Sequence, residues 1–523
     1  MVKLQRSGAA RIAALSAVFL AAGVVFGAAR AVEIDPNATI VFYDAVGNET
    51  LDPAHPQNNS SFAQDVLLAV YDPLIRLDDK GDPTPGLAES WSYNADLTEF
   101  TMTLRQGVTF HDGAKLTADV VKRNLERDIA LGNRAGTSII ETVKHIASVE
   151  TAGDRTVKLK LKRPNGQMEY WLGFVGGLMI SPNSLTEGAF GATLKPIGAG
   201  PFRVTSFEAN IMTKTARFEE YWAGTKDRSA GFNHHYVPDG RARLNAVRSG
   251  QANVALIDPS QIPTAKSAGM EVQINEKNGV WDIYLNLSRK GLADLRVRQA
   301  LMHAIDRATL AEVLSYGASK PTLQLFSSAS PMYDKELDRI YPFDQKKARA
   351  LLTEAGFKDG IEITQLLLNT SEYRQLAEAL QAMLSEVGVT VKFDIVDASQ
   401  FPQFRRPPGR GDYLMARWGG RPDPLQTFQE IVVTGAAYNP VGVASPEIDT
   451  LATAAGNLAP NNPKRLEILR QLARVTIESV ATIPIMTRSN VYAYKPGCIH
   501  NLTPYLATGD DRFNDVHLGA GCK

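Results

Sequence analysis

The chain has 523 residues, of which 44% are hydrophobic and 21% are charged, and its formal charge at pH 7 is zero. This composition predicts a large globular protein of two or three compact units and excludes a disordered or fibrous chain. Charges of both signs are interspersed without an extended run of one sign, so we expect neither nucleic-acid binding nor a polybasic membrane-binding patch.

The N-terminus has the pattern of an export signal. Lys3, Arg6 and Arg11 form a basic head, residues 12–28 are almost wholly apolar, and residues 29–31 supply the small side chains that a signal peptidase needs. The alternative is a membrane anchor, but the apolar stretch falls short of the roughly 20 residues that a spanning helix prefers. We therefore predict a signal peptide over residues 1–31.

A strand is predicted over residues 38–46, followed by a loop rich in Asn, Asp and Pro. Residues 71–125 then alternate turn signals with short apolar runs. Phe100, Met102 and Leu104 share one face of a predicted hairpin arm, with residues 108–110 as the second arm. Thr117 is expected to cap the helix that follows.

Further along the chain the spacing of apolar residues predicts a second set of elements. Residues 361–368, 372–387 and 389–395 read as strand, helix and strand, which implies a parallel unit. The other predicted elements are a strand pair at 148–161, a helix at 239–250, a strand at 254–257, a helix at 464–479 and a strand at 483–486.

Two cysteines occur, Cys498 and Cys522. An oxidising compartment favours a disulfide between them, which would close a short loop worth on the order of 3 kcal/mol in chain entropy. Free buried thiols are the alternative. The adjacent pair His234 and His235 is not expected to bind a metal, because neighbouring residues of a strand point to opposite faces and no third ligand is near in sequence.

Several stretches resemble the signature blocks of the family 5 extracytoplasmic solute-binding proteins, the receptors of dipeptide, oligopeptide and nickel ABC importers. They occur in the family's order over nearly the whole mature chain, and the family's usual Thr is replaced by Ala199 in one of them. The stretches are DPLIRLDDKG, PGLAESW, FTMTLRQGVTFHDGAKLTADVV, IGAGPFRV, ALMHAIDRATL and WGGRPDP.

This resemblance implies an α/β fold of the two-lobe periplasmic binding protein type (type II, similar to the large cluster C) with an extra subdomain in the first lobe. The expected hinge lies in residues 281–287. The expected domains are lobe I at 32–69, 187–283 and 487–523, the extra subdomain at 70–186, and lobe II at 284–486.

The function that the resemblance implies is capture of a solute between the lobes and delivery to an ABC permease in the inner membrane. The receptor would be a monomer in a Gram-negative periplasm, with no cofactor and no catalysis. Its expected ligand is a short peptide or peptide-like compound; an opine, glutathione or an oligosaccharide are alternatives. Nickel is disfavoured because no His lies near Trp418.

Two other classes of function stay open. A periplasmic hydrolase is disfavoured, because the common nucleophile, zinc-protease, phosphate-loop, dinucleotide and Cys-x-x-Cys motifs are absent from the sequence. His111 and Asp112 could form a catalytic dyad, but they fall in a predicted hairpin turn. A receptor that reuses the fold without transport is the third possibility.

The strongest candidate site is the stretch from Arg417 to Pro424. Trp418 offers a flat surface, Gly419 permits close approach of a ligand, and Arg421 stands where peptide-binding relatives carry a carboxylate for the peptide ammonium group. Arg421 could instead bind an anionic group or form a surface pair with Asp423. The remaining candidate ligand contacts are Asp423, Asn58, Asn59, Trp281, Tyr284 and Tyr438.

Overall fold

The computed structural model describes residues 34–59, 61–132, 137–185, 195–225, 228–289, 291–397, 400, 404, 409–436, 438–439, 445–505, 510–511 and 514–522. The predicted signal peptide lies outside these residues, as does the side chain of Asn59. Within the described ranges, none of the helices combines the length and the apolar character needed to cross a bilayer.

The strands are numbered in chain order. They are β1 Thr39–Asp44, β2 Ile75–Leu77, β3 Pro83–Pro85, β4 Ala88–Tyr93, β5 Glu99–Leu104, β6 Ile146–Ala152, β7 Thr156–Leu161, β8 Phe202–Glu208, β9 Met212–Arg217, β10 Gly231–Tyr236, β11 Val254–Ile257, β12 Glu271–Leu285, β13 Ile361–Leu368, β14 Val389–Val396, β15 Tyr413–Trp418, β16 Thr482–Tyr494, β17 Ile499–His500, β18 Pro504–Tyr505, β19 Asp510–Asp511 and β20 His517–Leu518.

The helices are numbered in the same way, and short 3-10 turns lie at Pro56–Asn59, Val175–Gly177, Pro259–Gln261 and Leu337–Arg339. The α-helices are α1 Ser61–Val70, α2 Ala118–Leu131, α3 Thr137–Val143, α4 Met168–Trp171, α5 Gly240–Ser249, α6 Ile262–Ser267, α7 Leu295–Ala304, α8 Arg307–Ser315, α9 Gln345–Glu354, α10 Ser371–Ser385, α11 Pro424–Ile431, α12 Pro446–Gly456 and α13 Pro463–Glu478.

Among the described residues, a ten-stranded sheet runs in the order β14-β13-β15-β12-β16-β11-β1-β10-β9-β8. The two longest strands, β12 and β16, are antiparallel partners at its centre, and their register is interrupted between Glu276 and Val280. Beyond this interruption β12 pairs with β15, whereas the far end of β16 pairs with β11. Both long strands therefore pass from a first half of the sheet (β8 to β11 with β1) to a second half (β13 to β15).

Successive side chains of β12 point to opposite faces of the sheet, so this strand contributes to two hydrophobic cores in the second half of the sheet. Trp281, Ile283 and Leu285 lie in the core that contains α7, α9 and α10, whereas Val280 and Tyr284 lie in the core that contains α11, α12 and α13. This is the period of two that a strand imposes on side chains. Helices therefore cover both faces of the second half.

A separate four-stranded sheet, in the order β4-β5-β7-β6, has its own core. Helix α2 packs on this core through Val121 and Leu125. The helix begins where the sequence predicts, because the Thr117 side chain accepts a hydrogen bond from the backbone N–H of Val120. The four-stranded sheet and α2 thus share a hydrophobic core distinct from those of the large sheet, whereas Leu131, Val143 and Phe174 join the core of the first half of the large sheet.

Several predictions from the sequence are confirmed. Strands β13 and β14 are parallel and are joined by α10, the pair β6 and β7 is antiparallel, and α5 ends at Gly250. Cys498 and Cys522 form a disulfide, so the free-thiol alternative is wrong.

The predicted hairpin at 100–110 is wrong. Strand β5 pairs with β4 on one side and β7 on the other, so no edge is left for residues 108–110, which contribute Val108 and Phe110 to the core outside any strand. Strand β12 also begins ten residues before the predicted segment 281–287, and β16 extends beyond the predicted end at Met486.

Candidate ligand site

The stretch from Trp418 to Asp423 connects β15 to α11, and Asp423 is the N-cap of that helix. One carboxylate oxygen of Asp423 accepts from the backbone N–H of Leu425 at 3.1 Å, and the other accepts from Arg465 at 2.5 Å. The Asp423 residue is fully buried. Both oxygens are therefore used to begin α11 and to join it to α13.

The guanidinium of Arg421 forms a two-pronged ion pair with Glu430 on α11. Its Nε and Nη2 atoms each lie 2.6 Å from a carboxylate oxygen of Glu430. Burial alone would disfavour the charged guanidinium, but the Glu430 carboxylate keeps the pKa of Arg421 above its ordinary value. The alternative surface pair with Asp423 is not formed, because Asp423 is occupied by Arg465.

The structure brings four predicted site residues into one chain of contacts. The Arg421 guanidinium lies 4.5 Å from the centre of the Trp418 ring system. Trp418 meets Tyr438 edge to face at 5.9 Å, and Tyr438 meets Tyr284 at 4.5 Å between ring centres. We call Arg421, Trp418, Tyr438 and Tyr284 the aromatic ladder. Gly419, which is half-buried, lies beside it and has the Arg488 guanidinium nearby.

Trp281 is separated from this ladder, because it projects from the opposite face of β12. It packs edge to face against Tyr373 at 5.0 Å, with the guanidinium of Arg417 5.7 Å from its ring centre. Arg417 also contacts Glu372 at 3.1 Å. Trp281 therefore belongs to a second aromatic and charged cluster.

Asn58 holds the loop that follows β1. Its amide nitrogen donates to the backbone carbonyls of Thr50 at 2.9 Å and Asp52 at 2.7 Å, and Asn48 donates to its side-chain oxygen at 3.4 Å. The side chain is buried. Through these hydrogen bonds the Asn58 side chain connects two parts of the same loop.

Arg127 of α2 anchors the same loop through Asp52. Its Nη2 atom lies 2.5 Å from an Asp52 carboxylate oxygen, and both side chains are at most 1% exposed. Sequence reasoning missed this buried pair, because Asp52 precedes Pro53 and resembles an ordinary turn residue.

Residues 137–171 approach the second half of the sheet at two places. The backbone N–H of Gly166 donates to the carbonyl of Gly456 at 3.3 Å, and the approach leaves no room for a Cβ at Gly166. At the second place, Glu141 of α3 interacts electrostatically with Arg421 and Glu430. Burial raises the pKa of Glu141, while Lys144, its ion-pair partner, opposes the rise.

Glu169 lies at the first of these places. Burial raises the pKa of its carboxyl to about 7, although a hydrogen bond from the Tyr93 hydroxyl opposes the rise. Asp423 raises this pKa further and Arg465 lowers it. No sequence motif identified Glu141, Glu169 or Glu430, because each acquires its significance only when distant segments meet.

The histidine pair behaves as an ordinary part of β10. His234 contacts Asp44 at 3.2 Å on a buried face of the first half of the sheet. His235 packs on Tyr43 on the opposite face of the sheet. In the parts of the chain that the structure describes, no three His, Cys, Asp or Glu side chains are grouped as metal ligands.

Residues 82–439 match the family described as bacterial extracellular solute-binding proteins, family 5 Middle. The glutathione-binding protein GsiB of Salmonella typhimurium is 30% identical over 361 residues, which cover 68% of this chain and 69% of that protein.

Solved structures share the fold. NikA from Brucella suis in complex with Fe(III)-EDTA has a TM-score of 0.81 at 24% identity, covering 92% of this chain and 100% of that one. DppA from Helicobacter pylori in complex with peptide STSA has a TM-score of 0.78 at 19% identity, covering 93% and 99%.

The fold is therefore that of a type II periplasmic binding protein. The chain belongs to the bacterial extracellular solute-binding proteins of family 5. It is an extracytoplasmic receptor of an ABC importer, delivering its solute to a membrane permease, and its relatives are binding proteins and not enzymes. The predicted fold class, family, receptor function and lack of catalysis are confirmed by these relatives.

Proposed function

We propose that the chain is exported to a Gram-negative periplasm by residues 1–31 and there captures a short peptide or peptide-like compound. The observation that carries the ligand class is the charge balance where the subdomain meets the second half of the sheet. Glu141, which is paired with Lys144, interacts electrostatically with the pair formed by Arg421 and Glu430, so two acids and two bases act in this region with no net charge. A zwitterion with an ammonium and a carboxylate group complements such a site.

The relatives support the same class of ligand. Glutathione, named for the relative GsiB, is itself a peptide derivative, and two structural neighbours are described with peptide STSA and with Met-Leu. Other neighbours are described with agropinic acid and mannopinic acid, which makes opines the alternative class to test.

Capture requires the two lobes to move about a hinge. We propose lobe I at 32–69, 187–283 and 487–523 with the subdomain 70–186, and lobe II at 284–486. The interrupted pairing between Glu276 and Val280 supports a hinge immediately before the segment 281–287. Closure would bring the two lobes together over the ligand and exclude water from it.

The proposal is tested with the chain that begins at Val32. Native mass spectrometry should reveal a co-purified compound, and thermal shift should rank dipeptides, tripeptides and glutathione above opines and oligosaccharides. Small-angle scattering should show a smaller radius of gyration with a peptide bound. Selective stabilisation by an opine would overturn the peptide assignment, and unchanged dimensions with every tight ligand would overturn the closure.

The Arg421 and Glu430 pair gives a separate prediction. Arg421→Gln should weaken binding of the peptide found above by at least about tenfold, because it removes a buried charge at the ligand and leaves Glu430 without its partner. The double variant Arg421→Gln with Glu430→Gln should recover thermal stability without recovering affinity. Calorimetric titration and thermal unfolding distinguish the two effects.

Arg417→Gln is the matched control, since Arg417 precedes the same loop but lies on the Trp281 face of the sheet. We expect its ligand affinity to stay within about twofold of the parent. Equal losses in Arg417→Gln and Arg421→Gln, or full affinity in the double variant, would remove Arg421 from the ligand site.

A further inference from the structure

The bend at residues 165–167 meets the end of α12 through backbone atoms. The backbone N–H of Gly166 donates to the carbonyl of Gly456 at 3.3 Å, and Gly166 is buried. A Cβ at position 166 would overlap the carbonyl oxygen of Leu458 and lie 3.4 Å from the Cα of Ala459. The two backbones can therefore approach this closely only because position 166 is glycine.

Both sides of this contact are held by hydrogen bonds to their own neighbours. The backbone N–H of Asn165 donates to the carbonyl of Leu97 at 3.0 Å, and the Asn165 side-chain oxygen accepts from the N–H of Gln167 at 2.8 Å. On the other side, the Arg465 guanidinium donates to the carbonyl of Ala455 at 3.1 Å. Packed backbone of this kind yields little, so a methyl group added to the bend would push the two sides apart.

Electrostatic interactions continue the contact along α4. Glu169 and Tyr170 both interact with Asp423 and with Arg465. Asp423 begins α11, and Arg465 of α13 joins that helix to the end of α12. Residues 165–170 therefore lie beside the region where α11, α12 and α13 meet.

The two sides of the contact belong to different lobes in the proposed division, since residues 165–170 fall in lobe I and residues 423–465 in lobe II. We propose that the bend 165–167 and the segment 456–459 form a closure latch, in which Gly166 is the positioning residue that lets the lobes meet. This inference rests on the proposed receptor function. The latch contacts are made by the protein alone, so they favour the closed state by the same amount whichever solute is bound.

Replacing Gly166 by Ala tests the latch through affinity. A receptor whose closed state is less populated binds every solute more weakly by one common factor. In the chain from Val32, Gly166→Ala should weaken binding by at least about tenfold. Calorimetric titration with glutathione, the dipeptide Met-Leu and mannopinic acid should give the same factor for each of them that binds the parent.

Gly456→Ala is the matched control on the other side of the same hydrogen bond. It keeps the carbonyl, and outside its own helix a Cβ there would approach one atom among the described residues, in the Leu425 side chain, at the ordinary contact distance of 3.7 Å. Its affinities should stay within about twofold of the parent. Parent affinity in Gly166→Ala, or an equal loss in Gly456→Ala, would overturn the latch.

Thermal unfolding without solute separates the latch from a purely structural role. The overlapping atoms of residues 458 and 459 move away from the bend when the lobes open, so solute-free Gly166→Ala should melt with the parent. With saturating solute its radius of gyration should stay larger than that of the parent. A loss of melting temperature that is the same with and without solute, or a failure to fold, would show a permanent contact and overturn the latch.

Hydrogen exchange of the parent needs no variant. The bend 165–167 and the segment 456–459 should both gain protection when a binding solute is added, and full protection without solute would contradict the latch. Binding of mannopinic acid alone, with the common factor kept, would overturn the peptide assignment and leave the latch standing. A parent that contracts with none of the three compounds would overturn the closure itself, and the latch with it.

Discussion

Replacing Arg127 by Met should lower the free energy of unfolding by about 3–5 kcal/mol, because it leaves the Asp52 carboxylate buried without its ionic partner. The pair is almost completely inaccessible to water and joins α2 to the loop after β1. Asn58 and Asn48 form hydrogen bonds within the same loop. Loss of the Arg127 and Asp52 ion pair should therefore also make this loop, which follows β1, less ordered. Urea denaturation followed by tryptophan fluorescence measures the effect.

Lys122→Met on the same helix is the control. Lys122 is partly exposed and has only a loose contact with Glu126 at 3.7 Å, so its replacement should change stability by less than about 0.5 kcal/mol. Combining Asp52→Asn with Arg127→Met should recover part of the loss, since no unpaired charge is then buried. A loss in Arg127→Met as small as that of Lys122→Met would contradict the assigned importance of the pair.

Asp282→Asn should change how stability depends on pH. Asp282 is fully buried in β12, and burial raises the pKa of its carboxyl to about 8. One of its oxygens lies 2.6 Å from the Thr482 hydroxyl, which can donate its own proton to the Ile283 carbonyl at 2.9 Å. The arrangement therefore accommodates a protonated Asp282 that donates to Thr482.

The sign of the pH effect follows from this raised pKa. Between about pH 4 and pH 8 the folded protein keeps a proton on Asp282 that the unfolded chain loses. The contribution of Asp282 to the free energy of unfolding is therefore fully present below about pH 4 and declines as the pH rises to about 8. Each unit of pKa difference corresponds to about 1.4 kcal/mol, which makes the decline several kcal/mol. Asn cannot ionise, so Asp282→Asn should remove this decline and be more stable than the parent at pH 9.

Urea unfolding at intervals from pH 5 to pH 9 tests the prediction, with Asp359→Asn as the control because Asp359 is exposed. The Asp359 variant should follow the parent profile. Parallel profiles for the parent and Asp282→Asn would show that Asp282 does not hold a proton in the folded protein.

The sequence predicted those features that depend on nearby residues. The Thr117 cap and the unit formed by β13, α10 and β14 are examples, because capping and periodicity act within a few positions. The hairpin at 100–110 failed because β5 is paired by β4 and β7, and β7 lies some fifty residues away along the chain. The early part of β12 was missed because its residues 273–278 are mostly polar and do not resemble a core strand.

The same limit applies to the candidate site. The sequence motif around Trp418 and Arg421 and the aromatic candidates Tyr284 and Tyr438 were predicted, and the structure brings these residues together. The sequence could not identify Glu430 as the partner of Arg421, or Arg465 as the partner of Asp423, because ion pairing between segments depends on the fold. Asn58 illustrates the opposite case, since a polar loop residue suited to a ligand is used by the backbone instead.

The two central strands have a consequence for how the chain can be divided. Strand β12 pairs with β15 and β16, and β16 pairs with β12 and β11, so a fragment that separates these two strands would expose unpaired backbone groups at a new sheet edge on each piece. Separately expressed lobes should aggregate, and the intact chain should melt in a single cooperative transition instead of two. The proposed hinge movement would therefore twist β12 and β16, which continue through the whole sheet, and the integrity of the sheet would limit how far the two proposed lobes can separate.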